Sequence, residues 1–115
     1  MGTMKDHWDG NPASCPVGLA INTIGGRWKL HILRTLVLDG PQRYNRLLES
    51  VEGISAKELT RNLRQLESAG LVGSITIDLG NAYDLTGLGR QIEGPFRALG
   101  IFGAALAHER RARRS

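Results

Sequence analysis

The amino-acid sequence predicts a mainly α-helical domain with one small β-hairpin, an α+β fold of the winged helix-turn-helix kind. Three observations carry that expectation. Tyr44, Leu47, Leu48 and Val51 recur at i, i+3, i+4 and i+7, and a second, well-capped helix opens across a glycine at Ser55-Ala56-Lys57-Glu58. Over Leu71 to Asp78 the helical period is lost and β-branched residues accumulate, Leu79-Gly80-Asn81 is turn material, and Ala82 to Leu85 can return as a second strand. Beyond the hairpin, Leu88, Ile92, Phe96, Leu99, Phe102 and Leu106 step by three and four along one closing helix. No internal repeat interrupts this order.

Taken along the chain, residues 1–14, with Asp6, Asp9, Gly10, Asn11 and Pro12 and almost no apolar periodicity, are expected to be a flexible arm in which Trp8 is the one large apolar side chain. Val17 to Ile24 predicts a short helix closed by Gly25-Gly26, too short to stand alone. Trp28 to Leu38 is apolar on most sides, as expected of a central helix, and His31 within it reads as a core histidine. Asp39-Gly40-Pro41 stops that helix, because glycine takes a left-handed cap and proline cannot continue the ladder. At the second helix of the motif, the Ser55 hydroxyl and the Glu58 carboxylate are spaced to satisfy each other's backbone N–H, and Ile54 and Leu59 to form the flanking apolar contact. Leu59, Leu63 and Leu66 then fall on one face, while Lys57, Arg61, Arg64, Gln65 and Ser68 fall on the other. Gly70 ends it. Thr86 is the expected cap of the last helix, which should bend at Gly94-Pro95. Its Gly100, Gly103, Ala104 and Ala107 weaken isolated helicity yet let another helix approach closely, which suits a partner surface. The folded domain is accordingly placed at 15–107, with a basic tail over 108–115.

Composition narrows the class. At 115 residues the chain makes one domain, small enough that a second copy would add useful burial. Its net charge of +4 is matched by the four arginines at 110, 111, 113 and 114, so the rest of the chain is balanced. The basic signal is local: Arg27 to Arg64 holds eight Lys/Arg against four Asp/Glu. A single cysteine rules out an internal disulfide, and histidines only at 7, 31 and 108 give no metal-ligand spacing, so neither metal nor cofactor is expected. No apolar run approaches the ~20 residues of a membrane span and no signal-peptide pattern opens the chain, which reads as cytoplasmic.

The outward face of the second helix carries chemistry. Arginine, lysine, glutamine and serine are the donors that read guanine O6/N7 and adenine N6/N7 or hold phosphate oxygens in a major groove. Lys57, Arg61, Arg64, Gln65 and Ser68 are therefore the candidate DNA contacts, flanked by Thr60, with Gln42, Arg43 and Ser55 at helix starts whose N–H groups can hold phosphate. Trp28, Tyr44, Phe96 and Phe102 read as core aromatics rather than as a ligand pocket. Cys15 precedes a short helix, where a thiol can be activated, but a small residue with no chemistry fits the same place. A two-fold dimer would present two such helices to half-sites about 34 Å apart, hence a palindromic operator on double-stranded DNA. The competing reading is a protein-interaction module that keeps the winged helix without specific DNA binding. An enzyme lacks support, since no histidine accompanies Cys15 in its motif and no general-base constellation is visible.

Four segments resemble the HxlR-type transcriptional regulators, relatives of the MarR group: Cys15-Pro16-Val17 with Ile24-Gly25-Gly26-Arg27-Trp28; Gly40-Pro41-Gln42-Arg43-Tyr44; Gly53-Ile54-Ser55 with Leu59-Thr60 and Leu63; and Leu66-Glu67 with Gly70-Leu71-Val72, then Tyr83, Leu85-Thr86 and Leu88-Gly89-Arg90. They span Cys15 to about Phe102. The resemblance implies a homodimer joined by its N- and C-terminal helices, the second helix of the motif in the major groove and the hairpin as a wing. It also implies a small-molecule or oxidant effector, sensed in some members through a cysteine at the position of Cys15. Two features depart from the pattern. The segment Asp78-Leu79-Gly80-Asn81-Ala82-Tyr83 is shorter than the family's wing and has no Lys or Arg, so weak contact with DNA is expected from it, and the arginine-rich C-terminus is additional.

Overall fold

A computed structural model describes residues 14–114. Five helices and one hairpin follow in the expected order: α1 Pro16–Ile24, α2 Lys29–Asp39, α3 Tyr44–Ser50, α4 Ala56–Ser68, β1 Val72–Ile77, β2 Gly80–Leu85, a 3₁₀ turn Gly89–Ile92, and α5 Glu93–Arg114. The expected arm over 1–14 lies, but for Ser14, outside the described residues.

The core is built where the apolar periods intersect. Ile32, Leu33 and Leu36 of α2, Leu47 of α3 and Leu59, Leu63 and Leu66 of α4 are buried together, and Val72 and Leu85 close the bottom from the base of the hairpin. These side chains hold α3 and α4 against α2, which fixes the direction in which the opposite face of α4 points. Val51 is also buried, but it sits just past α3 as its C-terminal cap and not within the helix. Gly53 then makes the turn with φ 85°, a left-handed value that favours glycine, and the Trp28 ring edge lies 3.7 Å from where its side chain would begin, in van der Waals contact.

At the far end of α4 the chain closes with two backbone bonds. The Leu71 N–H donates to the Leu66 carbonyl at 3.0 Å and the Gly70 N–H to the Glu67 carbonyl at 3.0 Å, with Gly70 at φ 79°. This is the paired six-to-one and five-to-two closure that a left-handed residue permits. Thr86 sits across the same junction: its hydroxyl donates to the Gly70 carbonyl and accepts from the Gly89 N–H. The cap expected for the last helix thus serves the 3₁₀ turn.

The hairpin pairs antiparallel from Val72 with Leu85 to Ile77 with Gly80. Its tip is Asp78-Leu79, one residue earlier than the turn expected at Leu79-Gly80-Asn81, because Asp78 itself takes φ 54°, which aspartate tolerates better than most residues. Gly80 and Asn81 consequently belong to β2. Gln42 adds a third, one-residue bridge: its N–H donates to the Tyr83 carbonyl at 2.9 Å and its carbonyl accepts from the Tyr83 N–H at 2.7 Å.

Other expectations change with the structure. His31 is exposed and not a core residue, since the buried side of α2 is taken by Ile32, Leu33, Thr35 and Leu36. Pro95 falls in the first turn of α5, where a missing N–H breaks no helical bond, so the discontinuity is the 3₁₀ turn before it. Arg110, Arg111, Arg113 and Arg114, expected in a tail, lie in the last turns of α5. Phe102 is 61% exposed and no residue of α1 or α5 is fully buried: Ile24 and Phe96 pack partly against the core, and among the described residues nothing covers the rest of these apolar faces.

Candidate nucleic-acid interface

The site begins with the start of α4. Ser55 has extended backbone and its side-chain oxygen accepts the Glu58 N–H at 3.1 Å, the first half of the expected capping box. The second half is replaced. The Glu58 carboxylate instead accepts from the Arg61 guanidinium at 2.6 Å, one turn further along the exposed face. That bond, aided by the charge of Lys57 and a smaller contribution from the Trp28 indole, holds the Glu58 carboxyl below the usual carboxylate range and pushes the Arg61 guanidinium up.

Leu59, Leu63 and Leu66 are buried, and Lys57, Arg61, Arg64, Gln65 and Ser68 are all exposed as the helical period predicts. Lys57, Thr60, Arg61, Arg64 and Gln65 line one shallow concavity on the outer surface. Among the described residues, Lys57 and Arg64 have no carboxylate within ion-pair distance. A face with two uncommitted cations and a third held by a half-buried carboxylate can offer donors to an anionic polymer at little desolvation cost.

Tyr44 fixes the angle between the two helices of the motif. Its hydroxyl donates to the Ala56 carbonyl at 2.9 Å, so its single proton is used, and it must accept from the Thr60 hydroxyl 2.9 Å away. Thr60 is therefore half-buried against α3 and keeps only acceptor capacity for a ligand. Arg43 and Gln42 are similarly committed. The Arg43 guanidinium donates to the Ile77 carbonyl at 2.7 Å and lies across Gly80, where any side chain would collide with it; Gln42 is bonded to Tyr83 through its backbone and to the Asp39 carbonyl at 3.2 Å through its amide. Both residues brace the hairpin, and Arg43, which is exposed, retains guanidinium N–H groups beyond this bond. At the wing, burial and the nearby Glu67 charge raise the Tyr83 phenol.

Asn62 was not legible as part of the site. It is buried with the leucines, donates to the Glu58 carbonyl at 2.7 Å, and accepts from the Lys29 ammonium at 3.2 Å. Its place three residues after Leu59 and four before Leu66 was the available signal: a polar residue on the apolar stripe needs a partner. Cys15 caps α1 with Pro16 at the first helical position, is half-buried, and makes no side-chain cap bond. It belongs to the start of α1, a different element from the α4 face.

A leucine-backed helix projecting cations beside a braced two-stranded wing defines a winged helix-turn-helix of the transcription-regulator class. A family model described as HxlR-like helix-turn-helix matches residues 23–111, and the chain belongs to that family. An HTH-type transcriptional regulator of Methanothermobacter thermautotrophicus is 45% identical over 58 residues, covering 50% of this chain and 44% of that protein, so the chain spans less than half of that relative's length. YybR of Bacillus subtilis, another HTH-type regulator, is 35% identical over 86 residues, covering 72% and 68% respectively. Among solved structures, a MarR-family transcriptional regulator from Enterococcus faecalis V583 superposes with a TM-score of 0.73 at 27% identity over 91% of this chain and 97% of that one. The redox regulator HypR in its reduced form gives 0.69 at 29% identity over 78% and 91%. No described helix is long and apolar enough to cross a membrane.

Proposed function

We propose that the chain acts as a homodimeric, sequence-specific regulator on double-stranded DNA, with α4 in the major groove of each half of a palindromic operator. The observation that carries this reading is the exposed row Lys57, Arg61, Arg64, Gln65 and Ser68 on a helix whose opposite face is locked into the core. Arg64 and Gln65 are long and planar-ended, suited to bidentate base contacts, while Lys57 and Arg61 serve phosphates or bases at the start of the helix. Ser55 caps with its oxygen and keeps its own O–H for a phosphate; Gln42, Arg43 and Thr60 act by positioning and by the remaining donor or acceptor each retains. The exposed apolar faces of α1 and α5 support a two-fold dimer through those helices.

The test is fluorescence anisotropy with a duplex selected by this protein from a random pool, across a salt series. Affinity should fall steeply as salt rises, because each phosphate contact releases counterions. Absence of salt-dependent duplex binding would leave the winged helix as a protein-interaction module. Cys15 is the input in this reading: peroxide would convert two thiols of the dimer to one disulfide and water, altering the α1 contacts. Non-reducing electrophoresis after mild peroxide should show a linked dimer that Cys15→Ser abolishes.

A further inference from the structure

The strongest feature outside the recognition face is a stacked cation beside the helix-turn-helix turn. Arg27 is exposed and precedes α2, with its guanidinium carbon 4.4 Å from the centre of the Trp28 ring. The Trp28 ring edge in turn lies 3.7 Å from where a side chain on Gly53 would begin, so the indole is seated on the turn that leads into α4. One residue on, the Lys29 ammonium donates to Asn62 of α4, whose amide donates to the Glu58 carbonyl. The residues around Arg27 are thus tied once to the turn that leads into the recognition helix and once to that helix itself.

Stacking decides what the guanidinium can do. Its carbon sits over the indole, while its N–H groups, which point outward in the guanidinium plane, stay available to an anion. The concavity it borders is lined by His31 and Arg34 of α2 and by Ser50 to Gly53, where Glu52 is the one carboxylate. Among the described residues none forms an ion pair with Arg27. A cation held beside the turn that leads into a groove-binding helix is within the part of the fold that borders the sugar-phosphate strand when that helix enters the groove. We propose that Arg27, held in place by Trp28, is a backbone-phosphate contact that sets the register of α4 on the duplex without reading sequence. This rests on the duplex-binding reading above. Lys29, held by Asn62, positions the segment and carries no separate contact.

The experiment compares the full chain with Arg27→Ala, Arg27→Lys and Arg34→Ala by anisotropy, on the selected duplex and on a random duplex, with thermal unfolding to check folding. Arg27→Ala should bind both duplexes about tenfold more weakly at low salt, with the slope of log affinity against log salt shallower by about one. Arg27→Lys, which keeps charge but not the planar stack, should recover the slope and only part of the affinity. Arg34→Ala, further inside α2, should change neither. An unchanged slope for Arg27→Ala, a loss confined to the selected duplex, or an equal loss for Arg34→Ala each overturns the proposal while the regulator reading stands. Absence of duplex binding by the unmodified chain removes that reading and this contact with it.

Discussion

A single hydroxyl, that of Tyr44, joins the two helices of the motif by accepting from Thr60 and donating to the Ala56 carbonyl. Tyr44→Phe removes both bonds and leaves a half-buried threonine without its partner, so urea unfolding should show a loss of about 1–2 kcal/mol. Operator binding should weaken too, because Lys57 and Arg61 lose their fixed angle to the rest of the domain. Glu58 acts on the same face through charge. Its carboxyl lies below the ordinary value near 4.5 chiefly because Arg61 donates to it. The stabilisation from this pair is therefore fully present above that value and is lost as pH falls through the lowered one. Both side chains reach solvent, so added salt should flatten this acid-range dependence in a pH-stability titration. Glu58→Gln removes a negative charge from the face and leaves Arg61 without its carboxylate partner, so binding to random duplex at low salt should tighten several-fold, read by anisotropy.

Among the elements, α4 was the most legible. Its leucine stripe and cationic face follow from the 3.6-residue period, and the Ser55 cap from residue type. Ser55→Ala should cost about 1 kcal/mol in urea unfolding, for loss of the Glu58 N–H bond. What stayed hidden was set by contacts distant in sequence. The partner of the Glu58 carboxylate is a choice between the Ser55 N–H and Arg61 that spacing alone leaves open. Gly80 read as a turn residue, yet it lies in β2 and is small because Arg43 crosses it to reach Ile77. Gly80→Ala should accordingly displace the Arg43 guanidinium and loosen the wing, seen as faster amide exchange in Ile77 and Tyr83. His31 and Phe102 read as buried because apolar neighbours suggest a core, whereas burial depends on which side of each helix finds a cover. Asn62 remained unseen for the opposite reason: its partner, Lys29, is contributed by another helix.

At the scale of the molecule, α2, α3, α4 and the hairpin share one core, while α1 and α5 contribute no buried residue to it. Ile21 is 60% exposed and Phe102 61%, and both line an apolar groove between α1 and α5. A second copy laid on that face would bury it and set two α4 helices in fixed relation. Phe102→Glu should shift sedimentation velocity toward a monomer and weaken operator binding by about tenfold or more, since the two half-sites are then no longer engaged together. The central claim is that the outward face of α4 reads duplex sequence. The direct measurement is the ratio of affinities for the selected and the random duplex, at one salt concentration, for the unmodified chain and Arg64→Ala. The account predicts that Arg64→Ala lowers affinity for the selected duplex by about tenfold or more and shrinks the ratio, the loss of a base contact. An unchanged ratio, with both duplexes bound as before, would contradict it.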